Sequence, residues 1–356
     1  MRLDAIGEFG LHKSVLSGLL EHYNPSAGVG DDCGFYPVSD ALTLAVSGDV
    51  GPEPLVKQLR GYEDDLESAG WHAALATASD IATSGARPLF MVDLVDAPPE
   101  TEVDQLTQYI DGYMRAACEF GFATVGGDLR QGSRLSMRTV GVGLVDHPAR
   151  IGRGGAKPGD KLVLLGPAGK FITSFLTCQA EEHEADEAMI DYLRFPKPQI
   201  GAMRLLAGEC LVSAASDSSD GVLGAIKNIS DASGCGFILS LESIEFGDWL
   251  RQPAQSGQYD VWNLFFFWGD WSVAAIIPQE LWRRFLEVAT ELEDWVLLGE
   301  ATSAPEIVAD VASRRSFVSI VRNENFSTLG FNKSLDGHLH YMLNTPIFDE
   351  MPEVGF

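Results

Sequence analysis

Apolar positions along the chain switch between helical and strand-like spacing. Residues 3–22 repeat at three- and four-residue intervals and predict a short amphipathic helix. Residues 41–46 (ALTLAV) predict a strand leading into Ser47-Gly48-Asp49. Residues 71–84 carry small and apolar side chains at near-helical spacing and stop at Gly85, a residue suited to a helix C-terminus. Residues 89–95 (LFMVDLV) predict a buried strand closed by Pro98-Pro99. Residues 102–120 predict a long helix with Leu106, Tyr109, Ile110, Tyr113, Met114 and Ala117 on one stripe. Residues 123–126 and 135–145 read as strands around a polar loop.

The Gly-rich, basic stretch 150–160 (RIGRGGAKPGD) predicts a link between two domains, residues 1–149 and 150–335. After it come a strand at 161–165, a glycine turn and a helix from Phe171. The acidic stretch 181–191 predicts a solvated surface, and the weakly periodic tail 336–356 is expected to wrap the surface or fray. Strand-helix-strand units mixed with antiparallel-looking pairs give an α+β class.

Composition narrows the function. With 46% hydrophobic and 21% charged residues the 356-residue chain is globular, not disordered. Its net charge of −26 repels nucleic acid and anionic membranes, so neither is expected as a partner. Bound divalent cations can still invert that field for a phosphorylated ligand. The most apolar stretch, 261–277, is short for a membrane span and carries Asn263 and Asp270. No apolar leader is visible, and the five scattered cysteines form no C-x-x-C pair, which predicts a reducing, cytoplasmic setting.

The candidate chemistry lies in aspartates beside glycines or at element ends. These are Gly28-Val29-Gly30-Asp31-Asp32, Ser47-Gly48-Asp49, Ala78-Ser79-Asp80, Gly126-Gly127-Asp128, Asp217-Ser218-Ser219-Asp220-Gly221 and Gly269-Asp270. Hard cations take oxygen ligands, one or two carboxylates each, and bridge them to nucleotide phosphates. Taken singly, each pair is also ordinary turn or N-cap chemistry. Gly166-Pro167-Ala168-Gly169-Lys170-Phe171 fails the P-loop spacing, with Leu164 and Phe171 at the positions that decide it. His338-Leu339-His340 is expected on the surface or in the tail, and Trp262, Phe265, Phe266, Phe267, Trp268 and Trp271 are expected in core packing.

Read in order, these segments resemble the thiamine-monophosphate kinase family of the aminoimidazole-ribonucleotide-synthetase-related (PurM/ThiL-like) superfamily. Residues 28–33 (GVGDDC) are similar to its G-[IV]-G-D-D, and Ser47-Gly48-Asp49-Val50 to S-T-D-T. Ser79-Asp80-Ile81-Ala82 with Gly85 and Pro88 resembles S-D-I-A-x-x-G-x-x-P, and Gly126-Gly127-Asp128 resembles G-G-D. Residues 153–160 are similar to R-S-G-A-K-P-G-D, Ser219-Asp220-Gly221 to S-D-G, Gly269-Asp270-Trp271 to the E-D-Y of G-E-D-Y-E, and Gly330-Phe331-Asn332 to G-[YF]-D.

The resemblance spans about residues 7–332 and implies two α+β domains, the N-terminal ones pairing into a homodimer around a shared β-barrel. It implies ATP and Mg²⁺ as cofactors, with Asp31, Asp32, Asp49, Asp80, Asp128 and Asp220 on metal and phosphates. Gly30, Asp49, Gly126, Gly127 and Ser219 would contact the nucleotide. Asp128, Asp220 and Arg153 would serve catalysis, Arg153 by neutralising phosphate charge. Phe331 and Asp270 would face the substrate.

Departures cluster on the substrate side. Residues 51–58 (GPEPLVKQ) replace L-V-E-G-V-H-F, residues 126–132 read GGDLRQG for G-G-D-T-T-R-G, and Lys170 stands where an aspartate is usual. Gly269 and Ser272 replace the two glutamates of the E-D-Y motif. The expectation is an ATP- and Mg²⁺-dependent phosphotransferase on a small acceptor, with one other than thiamine monophosphate favoured over thiamine monophosphate itself. An ATP-dependent ligase that activates an amide or carboxyl oxygen is the competing enzyme, and an idle nucleotide-binding protein is the non-enzymatic reading.

Overall fold

The computed structural model describes residues 2–349, apart from 17, 20–21, 23–29, 41, 147–149, 181–185, 256–257, 312–313 and 325–333. The chain divides into two compact units. One holds Cys33–Arg150 and Ser174–Gly208; the other holds Met1–Asp32, Ile151–Thr173 and Glu209–Phe356. The chain thus crosses between them at 150/151, beside the expected linker, and also at 32/33, 173/174 and 208/209.

In the first unit, strands β1 (Gly34–Ser39), β2 (Leu42–Val50), β3 (Arg87–Ala97), β4 (Ala123–Gln131) and β5 (Ser136–Val145) form a sheet in the order β1-β2-β5-β3-β4. All neighbours are antiparallel except the parallel β3–β4 pair. The sheet is open, with β1 and β4 as its edges.

Counting Leu3–Leu11 as α1, two helices pack together in this unit: α2 (Leu66–Thr83) and α3 (Val103–Glu119). Asp65 caps α2 by accepting from the Ser68 N–H at 3.1 Å, and the helix stops before Gly85, whose φ of +65° suits glycine. Glycines set the helix spacing. A Cβ on Gly70 would stand 2.0 Å from the Tyr109 carbonyl, and one on Gly112 would stand 2.0 Å from that of Glu67. Against the sheet, the Thr139 hydroxyl on β5 donates to Ala73 O of α2 at 2.8 Å. The side chains of Tyr36, Val50, Leu94 and Val125 remain exposed.

The tail of helix α4 (Lys170–Ala180) joins this unit, together with α5 (Glu187–Arg194) and α6 (Ile200–Gly208). The contacts are specific. The Trp71 indole donates to Pro196 O at 2.7 Å, and the Arg194 Nε donates to Asp65 Oδ2 at 2.6 Å. The Phe195 ring lies 4.5 Å from the guanidinium carbons of both Arg115 and Arg194.

The second unit carries a seven-stranded sheet, β12-β11-β8-β10-β6-β9-β7. Its strands are β6 (Lys161–Leu165), β7 (Ala214–Asp217), β8 (Gly236–Ser240), β9 (Val273–Ile277), β10 (Trp295–Thr302), β11 (Ile307–Val311) and β12 (Arg314–Phe317). Strand β9 is wholly buried, as an unbroken apolar run requires when both faces are covered. Helix α7 (Val222–Ser233) packs on β7 and β9.

The tail departs from expectation. Continuing the count through α8 (Asp248–Gln255), α9 (Val261–Phe265) and α10 (Trp282–Val288), residues Leu335–Asn344 form α11, with His338, Met342 and Leu343 buried. Asn263 ties it down by donating to Met342 O at 2.7 Å and Thr345 O at 2.9 Å. The aromatic run is core as expected, with Trp262, Phe265, Phe266, Phe267 and Trp271 buried. Among the described residues, no helix is long and apolar enough to cross a membrane.

Candidate functional site

In the second unit the loop at residues 30–32 closes on Arg153. The Arg153 backbone N–H donates to Asp31 Oδ1 at 2.8 Å, its Nε to Asp32 Oδ1 at 2.7 Å and its Nη1 to Gly30 O at 3.0 Å. Gly152 permits this approach, since a Cβ there would lie 2.5 Å from Asp31 Oδ1. The guanidinium therefore holds the Asp31–Asp32 loop in place. The Asp32 side chain is only 2% exposed. Burial pushes its pKa up to about 6, while Arg153 draws it down and Asp217 pushes it further up.

Asp217 ends β7, and one of its carboxylate oxygens lies within 4.8 Å of one on Asp32. Its backbone N–H donates to Asp32 Oδ2 at 3.3 Å, and Ser219 Oγ donates to Asp217 Oδ1 at 2.9 Å. The turn then closes through Gly221, whose φ of +95° favours glycine, into α7. Within that turn Asp220 has its pKa pushed up to about 7, by burial first and then by Glu8 and Asp217, against Arg322 and Arg153. Buried, mutually repelling carboxylates of this kind fit a hard divalent cation, which would replace the missing solvation with positive charge. Asp217 is a functional candidate that motif matching passed over. It stood in the aspartate-rich turn, but the S-D-G pattern starts two residues after it.

The first unit holds the other aspartates expected on metal and phosphates, Asp49, Asp80 and Asp128. Asp49 lies inside β2, paired with Thr139, rather than in a loop after it. Asp80 sits in the last turn of α2, where its Oδ2 accepts from Ser47 Oγ at 2.5 Å and its carbonyl accepts from Cys33 Sγ and Thr83 Oγ1. Asp128 corrects the strand reading. Strand β4 does not stop at Gly126: the register shifts opposite Met91–Asp93 and pairing resumes at Gly127. Gly126, at φ +115°, allows the extra residue, and a Cβ on Gly127 would stand 2.4 Å from Asp93 O. Asp128 is therefore exposed within a strand, opposite Leu94. Arg130, next on that side, pairs with Asp96, which also binds Arg138, both at 2.7 Å.

Two substrate-side candidates fare differently. Phe331 lies outside the described residues. Asp270 is buried and its Oδ1 accepts from the Phe171 N–H at 2.8 Å. It caps the start of α4, where a phosphate would lie in a true P-loop. His338, expected on the surface or in the tail, lies in the tail helix α11 and is 1% exposed.

Comparison with known proteins agrees with this architecture. The AIR synthase related protein N-terminal domain matches residues 30–145, and the C-terminal domain of the same family matches residues 157–312. The thiamine-monophosphate kinase of Escherichia coli K12 is 30% identical over 269 residues, 74% of this chain and 79% of that one. The Synechococcus elongatus thiamine-monophosphate kinase is 27% identical over 343 residues, 92% of this chain and 98% of its own. A structure of AaThiL complexed with AMPPCP and TMP shares the fold, with a TM-score of 0.73 at 23% identity, covering 88% of this chain and 96% of that one. With both AIR synthase related domains in order and that level of identity to a curated kinase, the chain belongs to the thiamine-monophosphate kinase family, a family of ATP-dependent kinases.

Proposed function

We propose that this chain is an ATP- and Mg²⁺-dependent phosphotransferase acting on a small-molecule acceptor other than thiamine monophosphate. The observation that carries it is the group of buried Asp217, Asp32 with its 2% exposed side chain and half-buried Asp220 near Arg153, carboxylates whose loss of solvent leaves them in need of a cation. AMPPCP in AaThiL supports ATP as the donor here. In the second unit Asp31, Asp32, Asp217 and Asp220 are the proposed ligands; in the first, Asp49, Asp80 and Asp128 are proposed for metal and phosphate as the family resemblance implies. Mg²⁺, when bound, neutralises phosphate charge. Arg153 orients Asp32, Ser219 orients Asp217, and Gly30 and Gly126 leave room for phosphate oxygens at the backbone, whereas the space at Gly127 is taken by the Asp93 carbonyl. Such a site needs no covalent nucleophile, because phosphoryl transfer is catalysed by positioning and electrostatics.

The test is an acceptor screen with mass spectrometry of the products. A phosphorylated acceptor with ADP is expected. A condensed product with ADP and free phosphate would assign a ligase instead. ATP is also expected to bind only with Mg²⁺ or Mn²⁺, since bare carboxylates repel a triphosphate. Equal ATP affinity in excess EDTA, measured by calorimetry, would refute the metal role.

A homodimer through the first unit is part of the same proposal. The exposed apolar side chains of Tyr36, Val50, Leu94 and Val125 and the unpaired edges β1 and β4 support it. Light scattering is expected to give about twice the 38.5 kDa chain mass at micromolar concentration, and a monomer would overturn the dimer. A cytoplasmic site of action is proposed with it.

A further inference from the structure

Two departures from the family motif sit side by side, and the structure joins them. Gly269-Asp270-Trp271 aligns with the E-D-Y of G-E-D-Y-E, so Trp268 stands at the motif's glycine and Gly269 at its glutamate. Gly269 has a φ of +104°, and a Cβ there would lie 2.2 Å from the Phe171 ring. A glutamate is thus excluded by the same aromatic group that surrounds Trp268. The bulk has moved one residue back along the chain.

Trp268 is half-buried and held from three sides. It stacks on Phe267 at 5.3 Å and 29°, lies 6.0 Å from the Phe171 ring, and its indole N–H donates to His338 Nε2 at 2.9 Å. His338 comes from α11, beyond the residues matched by the C-terminal family domain. The segment bearing Trp268 runs beside the turn that carries Ser219 and Asp220: Ser218 N–H donates to Ser272 O at 2.9 Å and Val222 N–H to Phe266 O at 3.1 Å. An indole fixed in this way has little freedom to make room for a ligand.

We propose that Trp268, locked by His338, is an acceptor-selectivity residue that fills the space a glycine leaves beside the Asp217–Gly221 turn and so excludes thiamine monophosphate. This rests on the phosphotransferase reading above. His338 acts as a positioning residue, through Trp268.

The test is calorimetry of thiamine monophosphate and, separately, of ATP with Mg²⁺, on wild type, Trp268→Gly, Trp268→Phe and His338→Ala. Trp268→Gly is expected to bind thiamine monophosphate at least ~10-fold tighter than wild type. His338→Ala is expected to move the same way by a smaller factor, with ATP affinity unchanged in both. Equal affinity in wild type and Trp268→Gly, or tighter binding by wild type, overturns the proposal. If Trp268→Gly loses ATP binding, and with it evidence of folding, Trp268→Phe and His338→Ala decide: no gain in either overturns it. Failure of the phosphotransferase reading shows separately, as wild type that binds no ATP with Mg²⁺.

Discussion

Asp220→Asn and Asp128→Asn are each expected to lower turnover by on the order of 10³-fold or more, while moving stability differently. Asparagine keeps the size of the side chain and one acceptor oxygen but removes the charge that a hard cation needs. At Asp220 that charge is expensive to the fold. Burial, Glu8 and Asp217 raise its pKa to about 7, so ionisation above that pH opposes folding. A group whose folded pKa is raised contributes stability at low pH that is lost as pH rises through that value. Asp220→Asn is therefore expected to melt higher than wild type at pH 8 in the absence of metal. Asp128 is exposed on β4, so its asparagine variant is expected to leave the melting temperature nearly unchanged. Kinetics beside melting curves separate function from packing. If Asp128→Asn kept more than about a tenth of wild-type turnover, a barrier change below roughly 1.4 kcal/mol, Asp128 would leave the proposed metal set.

Legibility in the sequence followed how local each signal was. The helix ending before Gly85, the helix over 102–120 and strand 161–165 depend on a C-terminal glycine and on periodicity within a few residues, and they appear as read. The Gly126 bulge was hidden because two glycines before an aspartate look like a strand end. Only the pairing with β3 shows that the strand resumes. The burial of His338 in the tail is hidden for the same reason. Helix α11 has a weak pattern of its own, and its burial depends on Trp268 and Asn263, about 70 to 80 residues earlier in the chain. The Asp32–Asp217 contact joins residues 185 apart, which motif matching can suggest but spacing cannot.

A second large effect is expected from acid. His72 lies on the buried face of α2, 3% exposed, with its Nε2 donating to Leu193 O at 3.2 Å. Burial lowers its pKa to about 4, against the smaller upward pull of the Leu193 hydrogen bond and Asp65. The unfolded chain takes up this proton near pH 6.5, whereas the folded chain refuses it until about pH 4. Stability from His72 is thus fully present above pH 6.5 and is lost on acidification through that window. By pH 5 the loss amounts to about 2 kcal/mol. Asp32 and Asp220 act in the opposite direction over part of this range, so the wild-type pH curve alone mixes the signs. The difference between wild type and His72→Gln isolates the histidine, because glutamine can still donate to Leu193 and does not titrate. Urea unfolding at pH 7.5 and pH 5.0, both above the isoelectric point near 4.5, is expected to shift the balance toward His72→Gln by about 2 kcal/mol at the lower pH. A stability difference that stays constant between the two pH values would mean that His72 is protonated or solvent-accessible in the folded protein, and that α5 does not seal it against α2.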